Sequence, residues 1–192
     1  MAMPYDHDDL IQTIDCLRNG GIILYPTDTV WGIGCDATNN EAVSRIFAIK
    51  KRAEAKAMIS LVADVAQFER FTSQIPDVAY ELLDQAVSPL TLVVDSPVGL
   101  APRLLAADGS AALRISHEPF NREICRRLRH PLVSTSANIS GMPSPRFFHE
   151  IDPALIKQMD YVVKYRRDDT TPARPSSVIK ISNDSSFKIL RS

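Results

Sequence analysis

The stretch Tyr25-Pro26-Thr27-Asp28-Thr29-Val30-Trp31-Gly32-Ile33-Gly34-Cys35-Asp36-Ala37 constrains this chain most, because a proline, three polar side chains and two glycines follow directly on the apolar run Ile22-Ile23-Leu24. Pro26 fixes its own φ and pushes Tyr25 toward extended geometry, so the apolar run reads as a strand that ends there. Gly32 and Gly34 let a ligand or another strand come close. The sequence thus predicts a strand opening into a polar loop, a usual place for function. Next comes the capping box Thr38-Asn39-Asn40-Glu41, with Thr38 as the cap, and Ala42, Val43, Ile46 and Phe47 give one apolar helical face reaching about Lys50.

The same reading extends in both directions. Ile11, Ile14 and Leu17 recur at helical spacing and stop at Gly20-Gly21, which suits a helix with a glycine end. Strands are expected over 58–63, 90–94, 111–115, 132–133, 161–164, 177–181 and 187–190, and helices over 78–83, 119–129 and 153–159. The small residues from Ser134 to Pro145 read as a loop, and Arg166 to Pro175 as another. The strand at 58–63 is expected beside the first one. Irregular alternation of strands and helices predicts an α/β domain with a mixed sheet, and nothing in 1–192 marks a domain boundary.

Composition removes several functions. The formal net charge is -1, so no global field draws the chain to nucleic acid or an anionic membrane, and any polyanion site must be local. Cys16, Cys35 and Cys125 are odd in number and lack ligand spacing, which predicts a reducing compartment and no structural zinc. No apolar run approaches the ~20 residues needed to span a bilayer, and the first residues carry no targeting pattern, so a cytoplasmic location is expected.

Several side chains could carry chemistry. Lys50-Lys51-Arg52 with Lys56 gathers cations at a helix end, where phosphate would bind but where a solvated surface also places them. Ser134-Thr135-Ser136-Ala137-Asn138-Ile139-Ser140-Gly141 offers hydroxyls, an amide and backbone groups for phosphate or ribose, or simply for its own turn. Arg114 stands on a strand, on the opposite parity from Leu113 and Ile115, and suits bidentate capture of a carboxylate or phosphate. Arg122, Arg126 and Arg129 lie on one side of a helix and read as a solvated face rather than an RNA contact. Gly32-Ile33-Gly34-Cys35-Asp36-Ala37 fits a dinucleotide fingerprint only loosely, since Pro26-Thr27-Asp28-Thr29 separates it from the strand. No Ser-His-Asp or Cys-His pairing is readable.

Taken in order, Tyr25 to Ala37, Lys50-Lys51-Arg52 to Lys56, Ser88-Pro89-Leu90-Thr91-Leu92-Val93, Leu113-Arg114-Ile115-Ser116-His117, Ser134 to Gly141 with Pro143-Ser144-Pro145, Pro175-Ser176-Ser177-Val178 and Leu190-Arg191 resemble the blocks of the YrdC/Sua5/YciO family. The resemblance implies a single YrdC/RibB-like domain, a strongly twisted mixed β-sheet with helices on one side and a large concave site on the other. It implies synthesis of threonylcarbamoyl-AMP and pyrophosphate from L-threonine, bicarbonate or CO2, and ATP, with Mg2+ accompanying the nucleotide and no protein-only metal site. The product would serve a downstream threonylcarbamoyl transferase in tRNA t6A37 modification, with tRNA as a further partner and no membrane. On this resemblance Thr27, Thr29, Arg114 and Ser176 hold threonine. Lys50, Arg52 and Lys56 face the ATP phosphates and the bicarbonate-derived carboxyl, and Ser134, Ser136, Asn138 and Arg191 contact the nucleotide. The rival expectations are a non-catalytic module of the same fold that grips double-stranded RNA or tRNA, and a nicotinamide enzyme.

Overall fold

The computed structural model describes residues 4–51, 58–172 and 175–191. In chain order these form α1 (His7–Arg18), β1 (Ile23–Tyr25), β2 (Gly32–Gly34), α2 (Asn40–Lys50), β3 (Ile59–Val62), α3 (Val65–Arg70), α4 (Asp77–Gln85), β4 (Leu90–Val94), β5 (Ala111–Ile115), α5 (Pro119–Leu128), β6 (Leu132–Ser136), α6 (Pro153–Ile156), β7 (Tyr161–Val162), β8 (Ser177–Ile181) and β9 (Phe187–Arg191). The described strands make one mixed nine-stranded sheet in the order β7-β1-β2-β6-β3-β5-β4-β8-β9. Pairs β1/β7, β3/β5 and β4/β8 are parallel and the others antiparallel. Strand β3 therefore lies beside β5 and β6, with β2 and β6 between it and β1, rather than next to the first strand.

Local chemistry explains the boundaries. The Asp6 carboxylate accepts from the amides of Asp8 and Asp9 and opens α1, and the left-handed Gly20 (φ 74°) follows its end. Helix α2 starts one residue later than the capping box predicts, because the Thr38 hydroxyl and amide both donate to Asp36 Oδ1. Asn39 takes over as the cap, its Oδ1 accepting from Ala42 N at 3.0 Å. The glycine segment is not a loop but strand β2. A Cβ on Gly34 would sit 2.3 Å from the Val133 carbonyl oxygen and 2.7 Å from the Tyr25 ring, so only glycine lets the strand pass. Strand β6 likewise runs on through Ser136, taking Ser134 and Ser136 out of the expected loop.

Strand parity sorts the core. On one face Leu24, Ile33 and Val133 pack under α2 residues Val43, Ile46 and Phe47, while Val62, Leu92 and Leu113 pack under Phe68 of α3 and Ala79 of α4. On the other, Ile23, Tyr25, Leu61 and Leu132 lie beneath Leu10 and Ile14 of α1 and Phe120 and Ile124 of α5. The residues that continue this second face are Ile59, Ala112, Arg114, Thr91, Val93 and Val178, and they border a cavity. Helices thus flank both faces, with α1 and α5 on the cavity's own face, rather than all on the side away from it. The site is the stretch of sheet that those two helices leave open.

Candidate functional site

The cavity has a volume of about 370 Å³. Its floor is apolar, built from Ile59, Val93, Ala112 and Val178, and its polar rim comes from Thr29, Thr91, Arg114, Ser134, Ser136, Ser144, Ser176 and Arg191. An apolar floor with a few convergent polar groups is the usual make-up of a small-molecule site.

The turn between β1 and β2 forms one wall. Thr27 Oγ1 donates to the Val30 carbonyl at 2.7 Å and accepts from Thr29 N at 3.0 Å. The two threonine hydroxyls are 2.9 Å apart, and Arg114 Nη1 donates to Thr29 Oγ1 at 3.3 Å. Because Thr27 spends its hydrogen on Val30, the proton order runs Arg114 to Thr29 to Thr27 to the Val30 carbonyl. Asp28 points the other way along the turn, accepting from His117 N at 3.0 Å and lying 2.9 Å from Arg114 Nη2.

Arg114 is 2 % exposed. Burial pushes its guanidinium below the ordinary arginine value, opposed chiefly by the Asp28 charge. The Nη2–Oδ1 approach is an ionic contact without hydrogen-bond alignment, so Arg114 Nε and Nη2 and Asp28 Oδ1 have no hydrogen-bond partner among the described residues. A guanidinium lining such a cavity is chemically suited to an anionic ligand with two acceptor oxygens.

On the opposite rim, Ser176 Oγ lies 2.8 Å from Thr91 Oγ1, and Arg191 donates through Nε to the Ser176 carbonyl at 2.9 Å and through Nη2 to Ser176 Oγ at 3.2 Å. At the end of β6, the Ser136 hydroxyl donates to Asn138 Oδ1, and Asn138 Nδ2 donates to the carbonyls of Ile139 and Met142. Lys50, fully buried at the last turn of α2, donates to the Ser136 carbonyl and to the Asn138 carbonyl at 2.7 Å.

The structure therefore brings Thr29, Arg114, Ser134, Ser136, Ser176 and Arg191 to one cavity. Thr27 sits behind Thr29 and lines a small second pocket instead. Lys50 and Asn138 are not on the lining: the loop carbonyls need donors, and these two side chains supply them. The sequence expects Lys50 at the ATP phosphates and the bicarbonate-derived carboxyl and Asn138 at the nucleotide; in the structure both side chains donate to the carbonyls of this loop. Arg52 and Lys56 lie outside the described residues. Asp28 and Thr91 were not singled out by sequence, although Thr91 shares the parity of Val93 on a strand whose other face is apolar, which marks it as facing the site.

The remaining candidates resolve plainly. Arg122 Nε donates to the Ala63 carbonyl and Arg126 pairs with Asp64, so the arginine face of α5 is partly committed to its own fold. Burial pushes the Cys125 thiol up to about 12, and its Sγ–H points at the Leu61 carbonyl, so it is no nucleophile. Among the described residues no group of three or more His, Cys, Asp or Glu side chains is placed to hold a metal. No described helix is long and apolar enough to cross a membrane.

Comparison with known proteins agrees with this architecture. The threonylcarbamoyl-AMP synthase of Stenotrophomonas maltophilia (strain K279a) is 36 % identical over 157 residues, 80 % of this chain and 84 % of that protein. Among solved structures, P. abyssi Sua5 complexed with L-threonine superposes with a TM-score of 0.79 at 26 % identity, over 90 % of this chain and 50 % of that one. The chain thus spans about half the length of the Sua5 protein it matches. E. coli YciO has the same fold, with a TM-score of 0.84 at 22 % identity over 97 % of this chain and 90 % of that one. A profile of the Sua5/YciO/YrdC family, described as "Telomere recombination", matches residues 15–192, and the chain belongs to that family.

Proposed function

We propose that this chain is a threonylcarbamoyl-AMP synthase, joining L-threonine, bicarbonate or CO2, and ATP into threonylcarbamoyl-AMP with release of pyrophosphate. The observation that carries the reading is Arg114, a guanidinium buried against Asp28 that lines the cavity together with Thr29 and Ser176. A planar guanidinium there can take the threonine carboxylate in two parallel hydrogen bonds, with the hydroxyls of Thr29 and Ser176 close by for the substrate's amine and hydroxyl. A relative of this family has been solved with L-threonine bound.

The chemistry asks for positioning more than for acid–base groups. The threonine nitrogen attacks the carbon of CO2 and gives up a proton, giving a carbamate. A carbamate oxygen then attacks the α-phosphorus of ATP, and the bond to the β-phosphate bridging oxygen breaks to release pyrophosphate. Holding three reactants in one cavity removes much of the entropic barrier. The apolar floor suits the face of a purine, Ser134, Ser136 and Arg191 suit ribose and phosphate oxygens, and Arg52 and Lys56 are assigned to the triphosphate from their place after α2. Mg2+ enters as part of the nucleotide. The described lining carries hydroxyls and guanidinium groups and no carboxylate, a donor set that leaves such an ion to phosphate oxygens and water. The adenylate would then be consumed by a transferase that modifies tRNA at t6A37.

The test is pyrophosphate release in threonine, bicarbonate and ATP, repeated with valine in place of threonine. Release that needs threonine and falls at least ~10²-fold with valine is expected, because a buried hydroxyl site rejects a ligand that leaves it unpaired. Release that is indifferent to the amino acid would overturn the assignment, and salt-sensitive RNA binding without any release would favour the non-catalytic module.

A further inference from the structure

Arg166 has a left-handed backbone (φ 60°), a conformation uncommon for a residue with a side chain. Its surroundings are well defined. The buried Asp9 carboxylate of α1 accepts from Lys164 N at 2.9 Å and from Tyr165 N at 3.0 Å, fixing the backbone that leads into Arg166. The Tyr165 ring stacks on Phe120 with centroids 5.4 Å apart. From this seat the guanidinium reaches three acceptors at once. Nε donates to Asp169 Oδ2 at 2.8 Å, and Nη1 donates both to Glu118 Oε2 and, at 3.1 Å, to the Thr27 carbonyl.

That last bond joins two regions far apart in sequence. Arg166 does not line the cavity. It lines the small pocket behind the turn, with Thr27, Thr29 and Asp169. Its partner Glu118 stands four residues after Arg114, at the entry to α5, so one guanidinium ties the carbonyl of the threonine turn to the segment leaving the strand that carries Arg114. Asn121 Nδ2 holds the preceding carbonyl, Pro26 O, from the same helix at 3.0 Å.

We propose that Arg166 is a positioning residue: from outside the cavity it sets the Thr27–Thr29 turn in register with Arg114, so that Thr29 Oγ1 and the Arg114 fork meet the substrate together. The proposal rests on the threonine reading above for its consequence, though not for its geometry. A turn displaced by a fraction of an ångström would leave Arg114 charged and buried but misalign the two groups that share the substrate.

The backbone supplies a variant without added strain. Arg166→Gly removes the guanidinium at a position where glycine is conformationally at ease, so no backbone strain is added. The double variant Arg166→Gly/Glu118→Gln, which leaves no unpaired carboxylate at Glu118, is measured beside it so that the loss of that ion pair is separated from the loss of the bond to Thr27. The first measurement is amide hydrogen exchange in the chain without substrates. Exchange at Thr29 N, which is bonded to Thr27 Oγ1, should accelerate ~10-fold or more while Leu24 in β1 stays protected; unchanged exchange at Thr29 would overturn the proposal. The second is turnover. The threonine KM should rise ~10-fold with the ATP KM unchanged, and Arg166→Lys should recover part of it by keeping one donor on Glu118 or Thr27. Equal changes in both KM values would show a merely structural role. Should the wild-type chain release no pyrophosphate with threonine, the proposed function fails, and the exchange measurement alone decides the role of Arg166.

Discussion

The two walls of the cavity are built on opposite plans. Where the turn after β1 meets β5, charge is buried and tied by side chains: Arg114, Asp28, Thr27, Thr29 and, behind them, Arg166 and Glu118. Where β6 runs out at Ser136, the rim hydroxyls are half-buried, and Asn138 and the buried Lys50 hold the chain through its backbone carbonyls rather than through other side chains. The first wall presents a fixed cation before any ligand arrives, as recognition of a small carboxylate requires. The second presents hydroxyls on a backbone braced from behind, and we expect it to adjust more readily to a larger ligand. On this expectation one wall selects and the other accommodates, and substitutions should separate them.

The largest effect is expected at Arg114. Arg114→Ala leaves Asp28 as a buried charge without its partner, which costs about 3–5 kcal/mol, and the chain should unfold at a much lower urea concentration than the wild type. Arg114→Lys keeps the charge and loses the fork. It should fold and raise the threonine requirement much more than the ATP requirement. Wild-type stability of Arg114→Ala would mean that the wall is not held by the ion pair at all.

Lys50 probes the other wall. Lys50→Met fills similar space with an apolar chain and leaves the carbonyls of Ser136 and Asn138 short of a donor, a loss of about 1–3 kcal/mol. Because those carbonyls carry the Ser134–Asn138 rim, the ATP requirement should rise and the threonine requirement should stay. Calorimetric titration of each substrate against this variant checks the split; a threonine site weakened as much as the nucleotide site would erase the distinction between walls.

How far these walls were readable in the sequence follows from how local their causes are. Strands β4, β5 and β8 match the sequence reading residue for residue, because alternation and turn residues act within a few positions. Arg114 stood out for the same reason. Strand β2 did not, since Gly32-Ile33-Gly34 carries almost no side chain to alternate and owes its glycines to Tyr25 and Val133. Helix α3 has six residues, too few for a period to show. The partners were the hardest part. Asp28 meets Arg114 only after the sheet has assembled, and Arg166 lies in a segment whose polar, proline-bearing sequence reads simply as a loop. Lys50 belongs to a block that the sequence marks for the site, yet the direction of its side chain depends on where β6 ends.

The smallest effect is expected at Gly141, in the rim segment beyond Asn138. Its φ of 89° is one that side chains rarely adopt, while a Cβ there would meet nothing within 4 Å. Gly141→Ala therefore pays only for backbone conformation, about 1 kcal/mol, unless the segment relaxes to another turn. Gly34→Ala is the opposite case, with ordinary backbone but a carbonyl at 2.3 Å, and overpacking there should cost about 1–3 kcal/mol or more. If the second wall accommodates as described, Gly141→Ala should shift the ATP requirement slightly, leave the threonine requirement alone and lower Tm by only a few degrees. A Gly141→Ala chain as unstable as Gly34→Ala, measured side by side by thermal unfolding, would mean that the rim is as rigid as the sheet beneath it and that the contrast between the two walls is wrong.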